Sequence, residues 1–415
     1  MADKRLDEVI KFIKNLDSND VFNIDPRPFR IPGKGITVYN SYRNNLSGSI
    51  TLHGKNLDEY YTIKNELFKT LNKKKHLVSQ KQIEEVLKET LLLKFNDFDY
   101  ITYLKKNLLS EASSYSIYFR IEDLTLKGNR KLKCNQCTFF KVTPKNLPNI
   151  LEHGFDNNRE EELHKKIIGQ IFCKVDVRAL DPVAAKRNAL IVLNRNIDIL
   201  NFSAGLLEDR RRSSGYVYFP YYNLKSNHHK YFVHKNNLLV STSYGSNHKR
   251  AFDLNLLAVE KDINNIFNHI CRLVNRIESN PFVESLLTSI QWCGKAMWEH
   301  REEISFNNYI TSLESLLLQN NDGELSFRLR LYTSFLATKE KKHRAITFDK
   351  LRYLYHIRSK ITHSGINEIS EEDLSLLRKI TISVIHSVIY NKKYNFLKSE
   401  DNKDFNKKLE EMVLN

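Results

Sequence analysis

Tyr353-Leu-Tyr-His-Ile-Arg-Ser-Lys-Ile-Thr-His-Ser-Gly365 is the stretch from which the rest of the chain is best read. On a helical wheel at about 100° per residue, Phe348, Leu351, Leu354, Tyr355, Ile357 and Ile361 share one broad apolar arc. The spacing predicts a helix over residues 347–363. Arg358 falls near the middle of that arc. A guanidinium buried alone costs several kcal/mol. Either Arg358 is paired within the core, or its face lines a cleft or a subunit interface. His363 stands about 140° further round, in the last turn before Ser364-Gly365, a stop signal at which the turn can unwind. The partial negative charge of a helix C-terminus favours protonated imidazole. A ring that changes charge near neutral pH suits acid–base chemistry. A plain capping histidine fits the same position, because a five-residue spacing specifies little by itself.

Working outward, helical patterns run at 256–278, 281–302, 305–319, 324–338 and 370–391. Their connections are short, as between antiparallel neighbours in a bundle. In the second pattern Val283, Leu286, Leu287, Ile290, Gly294, Met297 and Trp298 keep helical spacing, and Gly294 would let a neighbouring helix come close. Ser370 followed by Glu371, Glu372 and Asp373 is an N-cap with acids in the first turn.

Upstream the pattern is mixed. Helices are expected at 3–16, 57–72, 79–95, 161–170 and from Pro182 to about 202. Extended segments are expected within 36–54, at 171–177, and at 231–234 and 238–241. Tyr115–Ile121 alternates with period two, and Lys131–Val142 after the turn Lys127-Gly-Asn-Arg130 reads as its hairpin partner. The expected fold class is therefore an α+β N-terminal region, residues 1–253, followed by an all-α bundle over 254–395 and a helical tail over 396–415.

Bulk properties bound the function. Five cysteines in 415 residues do not form a disulfide framework, so a reducing cytoplasm is expected. The first residues are charged where a signal peptide would be apolar. The longest apolar tract, Ile380–Tyr390, is too short and too interrupted to span a bilayer, so no membrane partner is expected. Of the net charge of +16, residues 1–280 carry +14. A polyanionic partner would be attracted mainly there, although a solvated lysine-rich surface accounts for the same charge.

The segment Leu354–Gly365 resembles the Arg-x4-His signature of HEPN domains, carried here by Arg358 and His363. Asn308-Tyr-Ile-Thr-Ser-Leu-Glu-Ser-Leu-Leu317 is similar to the Leu-Glu-x-Leu helix of the Apea-like HEPN branch, a group associated with anti-phage defence and abortive infection. The resemblance covers 281–391. It implies an endoribonuclease toxin that needs no metal or other cofactor. It also implies a homodimer in which each protomer lends its Arg and His to one composite site. RNA is the implied substrate, tRNA being one candidate, and a phage-derived trigger is an implied partner. The chemistry suits the residues. RNA carries its own nucleophile in the 2′-hydroxyl, so cleavage needs a proton carrier and a fixed cation for the phosphorane. Many ribonucleases of the group have Asn, Asp or His after the arginine; here it is Ser359, which can still donate to phosphate. Glu314, on the flank of its helix's apolar arc, is the expected partner of Arg358. The alternative is a HEPN module without catalysis, binding RNA or a partner protein.

Two other features could carry chemistry. Cys134-Asn-Gln-Cys137 is half a zinc site or two small buried strand residues. Arg210, Arg211 and Arg212 beside Tyr216, Tyr218 and Phe219 combine phosphate-binding charge with stacking surfaces for RNA. A solvated basic turn would read the same.

Overall fold

The computed structural model describes residues 2–16, 36–37, 51–52, 54–72, 78–95, 99–108, 112–121, 124–128, 130–146, 168–209, 230–234, 237–241, 252–274, 280–299, 301–319, 324–364 and 369–415. Among them are thirteen α-helices and ten short strands. The protein is mostly helical, with its sheet in the N-terminal half, and no strand follows Asp253 among the described residues. Two compact units form. One comprises Met1–Ile117, Asp176–Leu190 and Phe232–Leu238; the other comprises Tyr118–Val175, Ile191–Tyr231 and Leu239–Asn415. The units interleave along the sequence, so the compositional break at 253/254 does not divide them.

The first unit holds α1 (Ala2–Asn15), the strand pair β1 (Ile36–Thr37) and β2 (Thr51–Leu52), α2 (Gly54–Leu71), α3 (Gln80–Phe95) and α4 (Tyr100–Leu108). Its core joins Leu6, Val9 and Ile13 of α1 to Leu67 of α2 and Val86, Leu87 and Leu91 of α3. Helix α4 has no counterpart in the sequence reading. Asp99 Oδ1 accepts from Thr102 N at 3.0 Å and starts it, a cap that the lysine-rich sequence obscured.

Strands β3 (Ser113–Ile121), β4 (Leu124–Thr125), β5 (Lys131–Cys134), β6 (Cys137–Lys141), β7 (Ile171–Ala179), β8 (Lys230–His234), β9 (Asn237–Ser241) and β10 (Phe252–Asp253) complete the set. The six-stranded sheet runs β5-β6-β7-β3-β9-β8, and β4 pairs with β10. This corrects the expected hairpin. Lys131–Val142 is two strands, not one, because Asn135 takes a positive φ of 53° and turns the chain between Cys134 and Cys137. Asparagine tolerates that conformation better than most residues. β3 therefore pairs with β7 and β9, and β5 pairs with β6. The helix expected at 161–170 lies mostly outside the described residues, and 168–169 form a turn.

Helix α5 (Pro182–Asp209) begins with Pro182, and Asp181 Oδ1 accepts from Val183 N and Ala184 N, each at 2.9 Å. It is long and apolar enough to cross a membrane, yet 72% of its apolar window is buried inside the protein.

The second unit is built on α6 (Asn255–Val259), α7 (Lys261–Val274), α8 (Pro281–Trp298), α9 (Glu302–Leu317), α10 (Leu325–Ala337), α11 (Lys341–Ser364), α12 (Glu371–Tyr390) and α13 (Asn402–Leu414). The single helix expected at 256–278 is two, α6 and α7. α8 and α9 meet along small residues. Ser312 Oγ donates to Ser289 O at 2.7 Å, and Ser305 Oγ donates to Ala296 O at 2.7 Å. Gly294 does face a close neighbour: a Cβ there would stand 2.8 Å from the carbonyl carbon of Asp198. Asp198 itself is buried, and burial pushes its carboxyl up to about 8; the Lys295 charge and a hydrogen bond from Trp298 pull the other way. The expected tail is part of this core. Phe405 of α13 is buried, its ring centroid 4.5 Å from that of Phe282.

Candidate functional site

Helix α11 carries the arginine and the histidine. It is longer than expected, and its burial is lopsided. Leu351 and Leu354 are buried, whereas Tyr355, Ile357 and Ile361 are only half-buried. The arc read as core is therefore core at Leu351 and Leu354, half-buried at Phe348, and partly open around Arg358.

Arg358 is paired. Its Nη2 donates to Glu314 Oε2 at 3.5 Å, with 34% of the arginine side chain and 22% of the glutamate side chain exposed. The other carboxylate oxygen, Oε1, accepts from Tyr355 Oη at 2.8 Å. The guanidinium carbon sits 5.7 Å from the Tyr355 ring centroid, a cation–π distance. Glu314 thus holds two groups that follow one another by a single turn of α11. It stands near the end of α9, brought there by the buried stripe Tyr309, Leu313 and Leu316. Burial first, and then the Glu314 carboxylate, push the Tyr355 hydroxyl up to about 12. It stays protonated at neutral pH and works as a donor. Among the described residues, one of the five guanidinium N–H groups of Arg358 is hydrogen-bonded. The others have no hydrogen-bond partner among the described residues.

His363 is exposed in the last turn of α11. The expected unwinding of that turn does not occur: α11 continues through Ser364. Thr362 Oγ1 donates to Arg358 O at 2.9 Å within the same turn. On a continuous helix His363 stays about 140° from Arg358, so one chain does not bring the two onto one face. Ser359 is exposed beside Arg358. Arg210, Arg211 and Arg212 lie outside the described residues, and nothing structural attaches to them.

The half zinc site is not available as one. Cys134 is bonded to Cys271 of α7 across a sequence separation of 137, while Cys137 and Cys173 are buried and outside that bond. A cysteine in a disulfide has no thiolate to offer a metal. The bond also departs from the expectation of no disulfide. Its two ends are distant in sequence and meet only once β5 and α7 are packed.

Tyr355 is the site residue that the sequence reading passed over, counting it as apolar filling. The available signal was its place three residues before Arg358, on the same arc. Set against known protein families, curated proteins and solved structures, the chain matches none.

Proposed function

We propose that the protein is an endoribonuclease of the HEPN type, working without a metal at a site completed by a second copy of the chain, in anti-phage defence. The observation that carries this reading is the state of Arg358. It is a half-buried cation on a partly open apolar face, oriented by Glu314 and retaining unused donors. A preorganised cation of that kind stabilises a phosphorane without reorganising during the reaction.

In this reading the 2′-hydroxyl attacks the adjacent phosphorus as one His363 takes its proton. The P–O5′ bond breaks, and a second imidazole returns a proton to the departing 5′-oxygen. The products are a 2′,3′-cyclic phosphate and a 5′-hydroxyl. One His363 lying about 140° from Arg358 on its own helix is poorly placed for this. Two copies, with their α11 faces apposed, supply two imidazoles and two cations. Ser359 adds a donor to phosphate.

The test is cleavage of total RNA or tRNA in EDTA by the wild type, His363→Ala and Arg358→Ala. Because His363 is exposed, His363→Ala is expected to keep the fold and lose cleavage at least 100-fold. Chelator-resistant cleavage that survives in both folded variants would remove the proposal. The second reading, a module without catalysis, is favoured by one observation: Glu314 ties Tyr355 and Arg358 together as a structural clasp would.

A further inference from the structure

A cavity of about 810 Å³ opens in the second unit, and Arg358, Glu314 and His363 do not border it. Its volume lies in the range of small-molecule sites. Its lining is sorted by depth. Leu206 of α5, Ile263 and Ile266 of α7, Ile382 of α12 and Met412 of α13 line it and are buried. These side chains carry no hydrogen-bond donor, and only the Met412 thioether is a weak acceptor. Lys339, Lys392 and Lys393 line it as exposed side chains, and Arg344 as a half-buried one. Among the described residues no Asp or Glu side chain borders the cavity. Buried aliphatic groups therefore form its deep end, and cations form its mouth.

Parts of the mouth are held in place by the chain itself. The Arg344 guanidinium carbon lies 4.3 Å from the Phe335 ring centroid, and its Nη2 donates to Lys339 O at 3.1 Å. Lys393 Nζ stands 4.9 Å from the Tyr394 ring centroid, and that ring is stacked on buried Phe396 at 5.8 Å. His386 and Tyr390 lie side by side on α12, with 4.9 Å between centroids and 31° between planes. Burial first, and then Asp262, raise the Tyr390 hydroxyl above its usual range, so it stays protonated at neutral pH and can donate. Asp262 itself is outside the lining.

From this arrangement we infer that the cavity binds an alkyl or acyl chain ending in a phosphomonoester, with the chain inward and the phosphate at the mouth. The deep end decides the body of the ligand. A polar ring system buried there would give up its hydrogen bonds to water without replacement, whereas a hydrocarbon chain has none to lose. The flexible thioether of Met412 adapts to such a chain. The mouth decides the head. A phosphomonoester brings a charge of about −1.5 to −2 at pH 7 to the four cations, where a carboxylate brings only one. The ligand can come as a free amphiphile or as a lipid in a membrane leaflet, and the head and chain recognised are the same.

The test uses the full chain and titration calorimetry with octyl, decyl and dodecyl phosphate below their micelle concentrations. Dodecanoate, inorganic phosphate and AMP are titrated beside them. Affinity is expected to rise about two- to fourfold per methylene, as each CH₂ passes from partial to full burial. Dodecyl phosphate is expected to bind at least threefold more tightly than dodecanoate, and at least tenfold more tightly than AMP or inorganic phosphate. The exposed triple variant Lys339→Ala, Lys392→Ala, Lys393→Ala is expected to weaken binding at least tenfold with an unchanged circular dichroism spectrum. Ser383→Trp, at an exposed position of α12 on the lining, should narrow the cavity and weaken binding while leaving the cations in place. Sedimentation with phosphatidylcholine vesicles, with and without phosphatidate, separates the sources. Capture by phosphatidate vesicles, lost in both variants, marks a membrane lipid; calorimetric binding without capture marks a free amphiphile. Either outcome supports the inference. It is overturned if dodecyl phosphate does not bind, if affinity is independent of chain length, if AMP or dodecanoate binds more tightly, or if both variants bind as the wild type does. His363→Ala should bind dodecyl phosphate as the wild type does, so a failed cleavage assay and a failed binding assay are distinguishable.

Discussion

Glu314 spends its two carboxylate oxygens on different partners, Tyr355 and Arg358. Removing its charge separates the two readings of the site. Glu314→Gln keeps an oxygen for the Tyr355 hydroxyl and deletes the anion beside Arg358. Because the ion pair is partly exposed, the expected loss of stability is under about 1 kcal/mol. If Arg358 meets phosphate, affinity for a fluorescent RNA oligonucleotide rises, since its internal competitor is gone; anisotropy titration measures this. If the cluster is only a clasp, the melting temperature falls and RNA affinity stays put. A second residue-scale prediction concerns Asp198. Its carboxyl is pushed up to about 8 by burial, from an ordinary value near 3.8. Between those values the unfolded chain gives up a proton that the folded chain keeps. Stability should fall as pH rises through that window, by up to about 1.4 kcal/mol per pH unit, and level off above it. Asp198→Asn should flatten the slope in urea unfolding curves recorded from pH 5 to 8. Arg358 as an oddity and Glu314 as its partner were legible on a wheel, because a charge on an apolar arc demands an answer. Tyr355 was not, because a tyrosine on such an arc satisfies the pattern and raises no question. Asp198 was hidden for another reason: its burial depends on α8 lying across α5.

At the scale of elements, the contact between α5 and α8 turns on two glycines. At Gly294 a methyl group would meet the backbone of Asp198, which cannot move aside. At Gly205 it would meet the end of the Met297 side chain, which can. Gly294→Ala is therefore expected to cost about 2 kcal/mol or more through overpacking. Gly205→Ala should be close to neutral, since alanine regains helix propensity; thermal melts of the two variants check the difference. The bundle helices were readable because their apolar spacing persists over many turns, and because caps such as Ser370, which accepts from Asp373 N at 3.0 Å, mark their ends. The strands were readable as strands but not in their pairing. Alternation along Tyr115–Ile121 specifies a face, not a neighbour. The turn at Asn135 was masked by the two cysteines that flank it, which invited a reading as ligands. The cavity of about 810 Å³ under α12 could not be read at all, since its lining comes from six helices and the connections between them.

For the whole molecule, two measurements follow. A site that needs two copies of α11 requires association, so sedimentation should show a dimer at the concentrations where cleavage is seen. The disulfide makes a separate prediction. Closing a loop as long as that between Cys134 and Cys271 restricts the unfolded chain enough to stabilise the fold by up to about 5 kcal/mol. Urea unfolding in dithiothreitol should show a loss of that order, and Cys271→Ser should reproduce it without reductant. The bond also changes what a protease can release. The stretch between the two cysteines holds β6, β7, α5 and the strands up to β10, so a single cut anywhere within it leaves both pieces covalently joined. On a gel without reductant the nicked protein would run as one species, and only reduction would separate the part bearing β5 from the part bearing α11.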